Sequence, residues 1–219
     1  MRKIPARYEN PFDNVIISHI DSIQSRFFKL GFTPNILTTI SLVCHLYAMY
    51  FFVNNKEYYT VYSVIFFFLS YYFDCFDGHF ARSYGMVTRF GDYYDHIGDW
   101  SKNILFGYLI YTYYNPYFYA SVAVLVIFAV LSIIHLSCQE HYYGKHVSET
   151  FHLLKYICPS NYFNGNDCLN ITKYVGCGTY LLIAVIIIIY LKTAGIQDAE
   201  PNPETKPSEL PDDETKNKY

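Results

Sequence analysis

Four aspartates are spaced so that they can work together. The chain reads Asp74-Cys75-Phe76-Asp77-Gly78-His79-Phe80-Ala81-Arg82, then eight residues to Gly91, then Asp95 and Asp99. On helices, Asp74 and Asp77 (i, i+3) share one face, and so do Asp95 and Asp99 (i, i+4). If the two helices are antiparallel neighbours, four carboxylates converge. Such a cluster repels itself and needs a counter-charge, and hard divalent cations with oxygen ligands, Mg²⁺ or Mn²⁺, are the simplest one. Two such ions suit an in-line phosphoryl transfer, because they steady the attacking and the leaving oxygen. Arg82 adds a forked donor suited to a diphosphate. Gly78 and Gly91, without Cβ atoms, let backbone or a flat ligand come close, and Ala81 keeps that face shallow. A single pair such as Asp74 and Asp77 is explained equally well as solvated charge. Eight fixed residues in register are not, since each type is used at roughly 5–9%.

The nearby histidines have other readings. His79 and His96 are able to ligate a softer ion such as Zn²⁺, but spacing places no third histidine with them. His45 and His135 fall inside apolar runs and read as hydrogen-bonded packing residues.

The elements that must carry these residues are membrane helices. A span needs ~20 mostly apolar residues. Ile36–Val53, Tyr58–Phe76, Tyr117–Cys138 and Ile171–Leu191 qualify, and Asp95–Tyr114 makes a fifth after a polar first turn that holds Asp95 and Asp99. A sixth is suspected between Gln139 and Asn170, although the most apolar stretch there, Thr150–Pro159, is short. Tyrosines such as Tyr58, Tyr93, Tyr113 and Tyr117 crowd the span ends, as an interfacial aromatic belt does. Ahead of the spans, Ile16, Ile20, Ile23, Phe27 and Leu30 recur at helical steps opposite Ser18, Ser22, Ser25 and Lys29, which predicts an amphipathic helix lying in the interface. Gly31 ends that helix, and Thr33-Pro34-Asn35 turns the chain into the first span. The expected fold is therefore all-α, a polytopic transmembrane bundle of five or six spans. Its parts are a cytoplasmic segment (1–10), the interfacial helix (11–31), the transmembrane domain (32–192) and a disordered acidic tail (193–219).

Composition agrees. Of 219 residues 20% are aromatic and only 16% charged, against roughly 25% charged in soluble domains. A net charge of −3 gives no basic field for nucleic acid. Arg2, Lys3, Arg7, Arg26 and Lys29 precede the first span and place that end in the cytoplasm. The six cysteines form no C-x-x-C pair, which favours buried free thiols over a disulfide framework or a zinc site. No cleavable signal peptide is evident, and Asn170-Ile171-Thr172 is a weak glycosylation match on what this topology makes the cytoplasmic side.

From Asp74 to Asp99 the chain reads D-x-x-D-G-x-x-A-R-x8-G-x3-D-x3-D without a mismatch. At these residues it resembles the CDP-alcohol phosphatidyltransferases, and a looser likeness runs from about Asn10 to Leu191. The resemblance implies six transmembrane helices, a homodimer, and a CDP moiety bound at the cytoplasmic face. It implies that Asp74, Asp77 and Asp95 bind metal, with Asp99 as general base and further ligand. Gly78, Ala81, Arg82, Thr88 and Gly91 would lie along the CDP moiety, with Pro34 and Asn35 beside it. The implied reaction moves a phosphate-linked group from a CDP-alcohol to a hydroxyl acceptor, with two Mg²⁺ or Mn²⁺ ions, and releases CMP.

Two routes share that chemistry. Asp77-Gly78-His79 and Thr88-Arg89-Phe90-Gly91 look like phosphatidylinositol synthases, which pair CDP-diacylglycerol with a polar alcohol. Gly31-Phe32-Thr33-Pro34-Asn35 and Asp95-His96 look like choline and ethanolamine phosphotransferases, which pair CDP-choline or CDP-ethanolamine with diacylglycerol. The first route is favoured slightly. A divalent metal transporter is the non-enzymatic rival; its acids belong at mid-span, whereas these lie at span ends beside an arginine. A membrane metallohydrolase, with water as nucleophile, is the other rival.

Overall fold

The computed structural model describes residues 2–54, 56, 58–144, 155–159 and 167–199, and their regular structure is entirely helical. The helices are α1 (Pro11–Lys29), α2 (Pro34–Val53), α3 (Tyr59–Tyr84), α4 (Arg89–Tyr113), α5 (Phe118–Tyr143), α6 (Asp167–Thr172) and α7 (Cys177–Ala199). Their ends follow local chemistry. Asn10 caps α1 by accepting from Phe12 N at 3.0 Å, with Pro11 in the first turn, where no N–H is needed. Gly31 leaves α1 at φ 78°, which glycine tolerates without strain. Thr33 then caps α2. The corner between α3 and α4 matters most. Gly85 takes φ 66° and donates back to Ala81 O, and Met86 N does the same at 2.8 Å, a glycine C-terminal cap. Three residues later Thr88 accepts from Gly91 N at 3.0 Å and starts α4. This tight reversal makes α3 and α4 antiparallel neighbours.

Four helical segments are long and apolar enough to cross a membrane: Pro34–Val53, Tyr59–Tyr84, Asn115–Tyr143 and Asp167–Ala194. The expected fifth span, α4, is a 25-residue helix, but its first half carries Arg89, Asp92, Asp95, Asp99 and Lys102, so composition alone does not make it one. It also begins at the Thr88 cap, ahead of the expected Asp95. Of the expected sixth span, the described residues hold only the end of α5, residues 155–159 and the six-residue α6; residues 145–154 and 160–166 lie outside the described residues, as does the tail from residue 200.

α2 and α3 pack antiparallel through small polar residues. Ser41 Oγ donates to Ser70 O at 2.8 Å and Ser63 Oγ to Ala48 O at 3.0 Å, so both hydroxyls are satisfied without water. α4 runs beside α2, where Gly98 meets Leu42; a Cβ there would lie 3.3 Å from Leu42 Cδ2. Phe52, Phe67, Phe106 and Ile110 form the core with Leu181, Ala184 and Ile188 of α7. Leu46, Ile65, Ile104, Ile127 and Ile186 face outward. Large apolar side chains spread over the outside are what a bilayer solvates and water does not.

α1 turns Ile16 and Ile20 onto Phe76 and Phe80 of α3 and leaves Val15, Ser18 and Ser22 exposed. Its start is tied to the start of α7. Asn10 Nδ2 donates to Lys173 O at 2.7 Å and to Thr179 Oγ1 at 2.8 Å, and Asp13 Oδ2 accepts from Gly178 N at 3.2 Å. Tyr71 Oη also donates to Asp13, at 2.6 Å. Burial drives the Asp13 carboxyl up to about 6, against those hydrogen bonds. A Cβ on Gly178 would lie 2.5 Å from Asp13 Oδ1, so the contact requires glycine. At the other end of α7, Lys192 Nζ donates to Phe51 O and Asn54 O at the end of α2. α7 thus starts at the end of the bundle that holds α1 and the aspartates and finishes at the opposite one.

The cysteines depart in part from expectation. Cys44, Cys75 and Cys177 are free thiols. Cys138 and Cys168, expected to be free, lie at disulfide-bonding distance of each other. Residues 30 apart in the chain meet because α6 folds back onto α5, a contact no local spacing reveals.

Candidate active site

The α3–α4 reversal brings the two aspartate pairs face to face. Carboxylate oxygens of Asp74, Asp95 and Asp99 lie within 4.8 Å of one another. Asp77 sits one turn below Asp74, 3% exposed, and accepts from Thr38 Oγ1 of α2 at 2.5 Å. The four carboxylates are not equivalent. Asp77 is enclosed, whereas the Asp99 side chain is 41% exposed and open to a second molecule.

One cation of the protein's own lies in the cluster. Lys102 Nζ contacts Asp74 Oδ1 at 2.5 Å, Asp99 Oδ1 at 2.7 Å and Ser41 Oγ at 3.2 Å. Sequence reasoning missed it, although its i, i+3 spacing from Asp99 puts it on the same face. Lys102 supplies one positive charge against four crowded carboxyl groups. Asp95 Oδ1 is buried without a hydrogen-bond partner, a costly state for a carboxylate oxygen. A divalent cation held by Asp74, Asp95 and Asp99 would satisfy it, so these residues fit the metal that the donor set implies. Lys102→Met should lower the melting midpoint in chelator by about 2–8 °C and enlarge the rise caused by Mg²⁺. That range takes ~1–2 kcal/mol for partly screened ion pairs at ~2–4 °C per kcal/mol. Equal midpoints with and without Lys102 in chelator would deny it the counter-ion role.

Beside the carboxylates opens a cavity of about 490 Å³. Pro34, Asn35, Gly78, Ala81, Arg82, Thr88 and Gly91 all line it, together with Asp77 and Asp95. Glycine leaves room for side chains at two places. A Cβ on Gly91 would lie 3.0 Å from Thr88 Oγ1 and 3.1 Å from Asn35 Oδ1, and one on Gly78 would lie 3.2 Å from Arg82 Nη1. Gly78 therefore lets the guanidinium lie flat along α3 at the cavity wall.

The chain's first residues close the other side. Arg2 and Lys3 line the cavity with Glu140 and Tyr143 of α5. Lys3 Nζ pairs with Glu140 Oε2 at 3.1 Å. Arg2 pairs with Glu9 and donates to Asn14 Oδ1 at 2.6 Å and Ser18 Oγ at 2.9 Å. Ile4 and Tyr8 are buried beneath. These basic residues had been read for topology alone; nothing local to the sequence signals that they wall a cavity.

Among the described residues no histidine joins the group of Asp74, Asp95 and Asp99, although His96 lines the cavity with Asp95. His79 Nε2 pairs with Asp21 of α1 at 2.7 Å, and His96 Nδ1 lies 2.5 Å from Asp92 O. His135 bonds to Thr172 Oγ1 at 2.9 Å, and His45 is buried against Phe67.

The family model for CDP-alcohol phosphatidyltransferases matches residues 32–199. No curated protein and no solved structure matches the chain. The family match spans α2 to α7 and so includes every aspartate of the cluster. Members are helical membrane transferases of phospholipid biosynthesis, generally dependent on a divalent metal, that move a phosphatidyl-type group from a CDP-alcohol to an alcohol acceptor. With its apolar helices and carboxylate-lined cavity, the chain belongs to the CDP-alcohol phosphatidyltransferase family.

Proposed function

We propose that this chain transfers the phosphatidyl group of CDP-diacylglycerol to the hydroxyl of a small polar alcohol such as inositol, releasing CMP. The observation that carries this reading is the cavity lined by Asn35, Gly78, Arg82, Thr88 and Gly91, which opens beside four carboxylates of unequal exposure. Asp77-Gly78-His79 and Thr88-Arg89-Phe90-Gly91 support this donor. The second reading, a choline or ethanolamine phosphotransferase, is supported by Gly31–Asn35 and Asp95-His96.

The chain's own residues divide the work. Arg82 donates to the diphosphate oxygens and fixes the donor at the cavity wall. Asn35, Thr88 and Gly91 shape the face along which the cytidine lies. Asp99, the exposed carboxylate, accepts the proton of the acceptor hydroxyl. The acceptor oxygen bonds to the phosphorus remote from cytidine, the P–O bond to the CMP phosphate breaks, and CMP carries away the electron pair. Two Mg²⁺ or Mn²⁺ ions held by Asp74, Asp77, Asp95 and Asp99 would supply charge neutralisation at the diphosphate.

In this reading α4 is the fifth crossing, with its charged half at the membrane surface. α1 lies in the interface with its apolar face on α3, the site faces the cytoplasm beside Arg2, Lys3 and Arg7, and two copies form a homodimer.

The test is CMP release by the purified chain in detergent with Mg²⁺ or Mn²⁺. CDP-diacylglycerol is offered with a panel of alcohols, and CDP-choline or CDP-ethanolamine with diacylglycerol. CMP formed only from the second set replaces the first reading with the second. CMP formed from neither, by folded protein, removes both. Arg82→Ala should raise the donor KM ~10–100-fold, the worth of charge-assisted hydrogen bonds, with little change in the acceptor KM. An unchanged donor KM would take the diphosphate away from Arg82.

A further inference from the structure

Three sulfurs meet at the end of the bundle that holds the cavity. Cys138 comes from the last turns of α5, Cys168 from α6, and Cys158 from the segment between them. All three are buried, and their Sγ atoms lie within 4.8 Å of one another, with Cys158 Sγ 3.0 Å from Cys138 Sγ. Ile4, Tyr8 and Leu169 enclose them, flanked by Tyr142 and Tyr143.

We propose that Cys138, Cys158 and Cys168 form a thiolate site for one structural Zn²⁺ ion, separate from the carboxylate cluster. A disulfide accounts for two of these sulfurs, whereas a metal accounts for all three. Zinc–thiolate bonds of ~2.3 Å in a tetrahedron set sulfurs about 3.8 Å apart, wider than Cys138 stands from Cys158 or Cys168, so zinc would sit among the three by spreading them within the 4.8 Å that now encloses them. Thiolates select a soft or borderline ion over Mg²⁺ or Mn²⁺, so the two sites do not compete for metal. The proposal rests on the reading that this end faces the cytoplasm. There the thiol pool keeps cysteines reduced, and a cysteine cluster is more often metal-binding than disulfide-bonded. Each thiol gives up its proton on binding, and the fourth position takes a non-sulfur ligand. The ion has a structural task. α6 has six residues, too few to hold itself as a helix, and Cys138 lies two residues before Glu140, the cavity residue that pairs with Lys3. Zinc at this point clamps α6 and the segment holding Cys158 to the cavity wall.

The experiment measures metal in full-length protein purified in detergent without chelator, from cells whose thiols were trapped by acid and alkylated in a parallel sample. The expected result is one zinc per chain, lost in Cys158→Ser and Cys168→Ser and retained in Asp95→Asn. If the serine variants do not fold, exchange of Co²⁺ into the unaltered protein should give a thiolate-to-cobalt charge-transfer absorption. Absence of zinc and of that absorption overturns the proposal. So does recovery of Cys138 and Cys168 as a linked peptide from trapped cells. CMP release assayed on the same preparation separates the two readings: zinc without CMP release removes the activity and leaves the site standing.

Discussion

Asp99→Asn should reduce CMP release by ~10²–10⁴-fold, the usual worth of a positioned general base, while leaving binding of the CDP-alcohol donor largely intact. The amide has nearly the same shape and keeps an oxygen for Lys102, which now lies 2.7 Å from the carboxylate. It cannot accept the acceptor's proton. The Asp99 side chain is 41% exposed and that of Asp74 21%, whereas Asp77 is closed off under Thr38. The proposed direct contacts to the donor come from other residues, since Asn35, Gly78, Arg82 and Thr88 line the cavity and Asp99 does not. Single-turnover CMP formation and equilibrium binding of the donor, measured side by side, decide the matter. Turnover within a few-fold of the unaltered protein would move the base role elsewhere.

Asp95→Asn should fail differently. Asp95 Oδ1 is buried without a hydrogen-bond partner and lies among the oxygens of Asp74 and Asp99. If Asp95 is a ligand as proposed, the amide takes away a donor that has no other partner. We expect at least ~100-fold loss of turnover at ordinary Mg²⁺, since even indirect support of a metal ligand is worth ~10–100-fold. Part of the loss should return at high Mn²⁺, and the rise in melting midpoint that Mg²⁺ gives the unaltered protein should vanish. Loss of turnover with an undiminished Mg²⁺-induced rise would mean that Asp95 serves the substrate and not the metal.

The grouping of the aspartates was legible because it is local. Asp74 through Asp99 lie on two helices joined by one short corner, so helical spacing alone puts both pairs on facing surfaces, and Gly85 and Thr88 fix the corner. The boundaries of α4 were read less well, because hydropathy starts a span at its apolar part while the Thr88 cap starts the helix itself. Lys102 was passed over as one charge among many, although its i, i+3 partner had been identified. Thr38 and the Arg2–Glu140 side of the cavity were out of reach for another reason: they join parts of the chain that no periodicity connects. The same holds for Cys138, Cys158 and Cys168, whose separations match no short metal motif. Residues 2–31, which wall the cavity and brace α3, also precede the stretch that the family model matches.

The link between α1 and α7 has a consequence for the order in which the protein is made. Asn10 and Asp13 bind residues 163 to 169 positions further along. A ribosome delivers α1 first and the start of α7 last among the described helices. Until Gly178 emerges, α1 has only the flank of α3 to rest on, and Asp13 has no backbone amide to meet. The half of the aspartate cluster on α3, the other half on α4 and the α1 brace beneath them are thus all synthesised before the strut that locks them together. A nascent chain stalled short of α7 already holds all four aspartates and every residue that lines the cavity, yet it lacks the partner that ties down the start of α1, so completion of the last helix is what secures that brace.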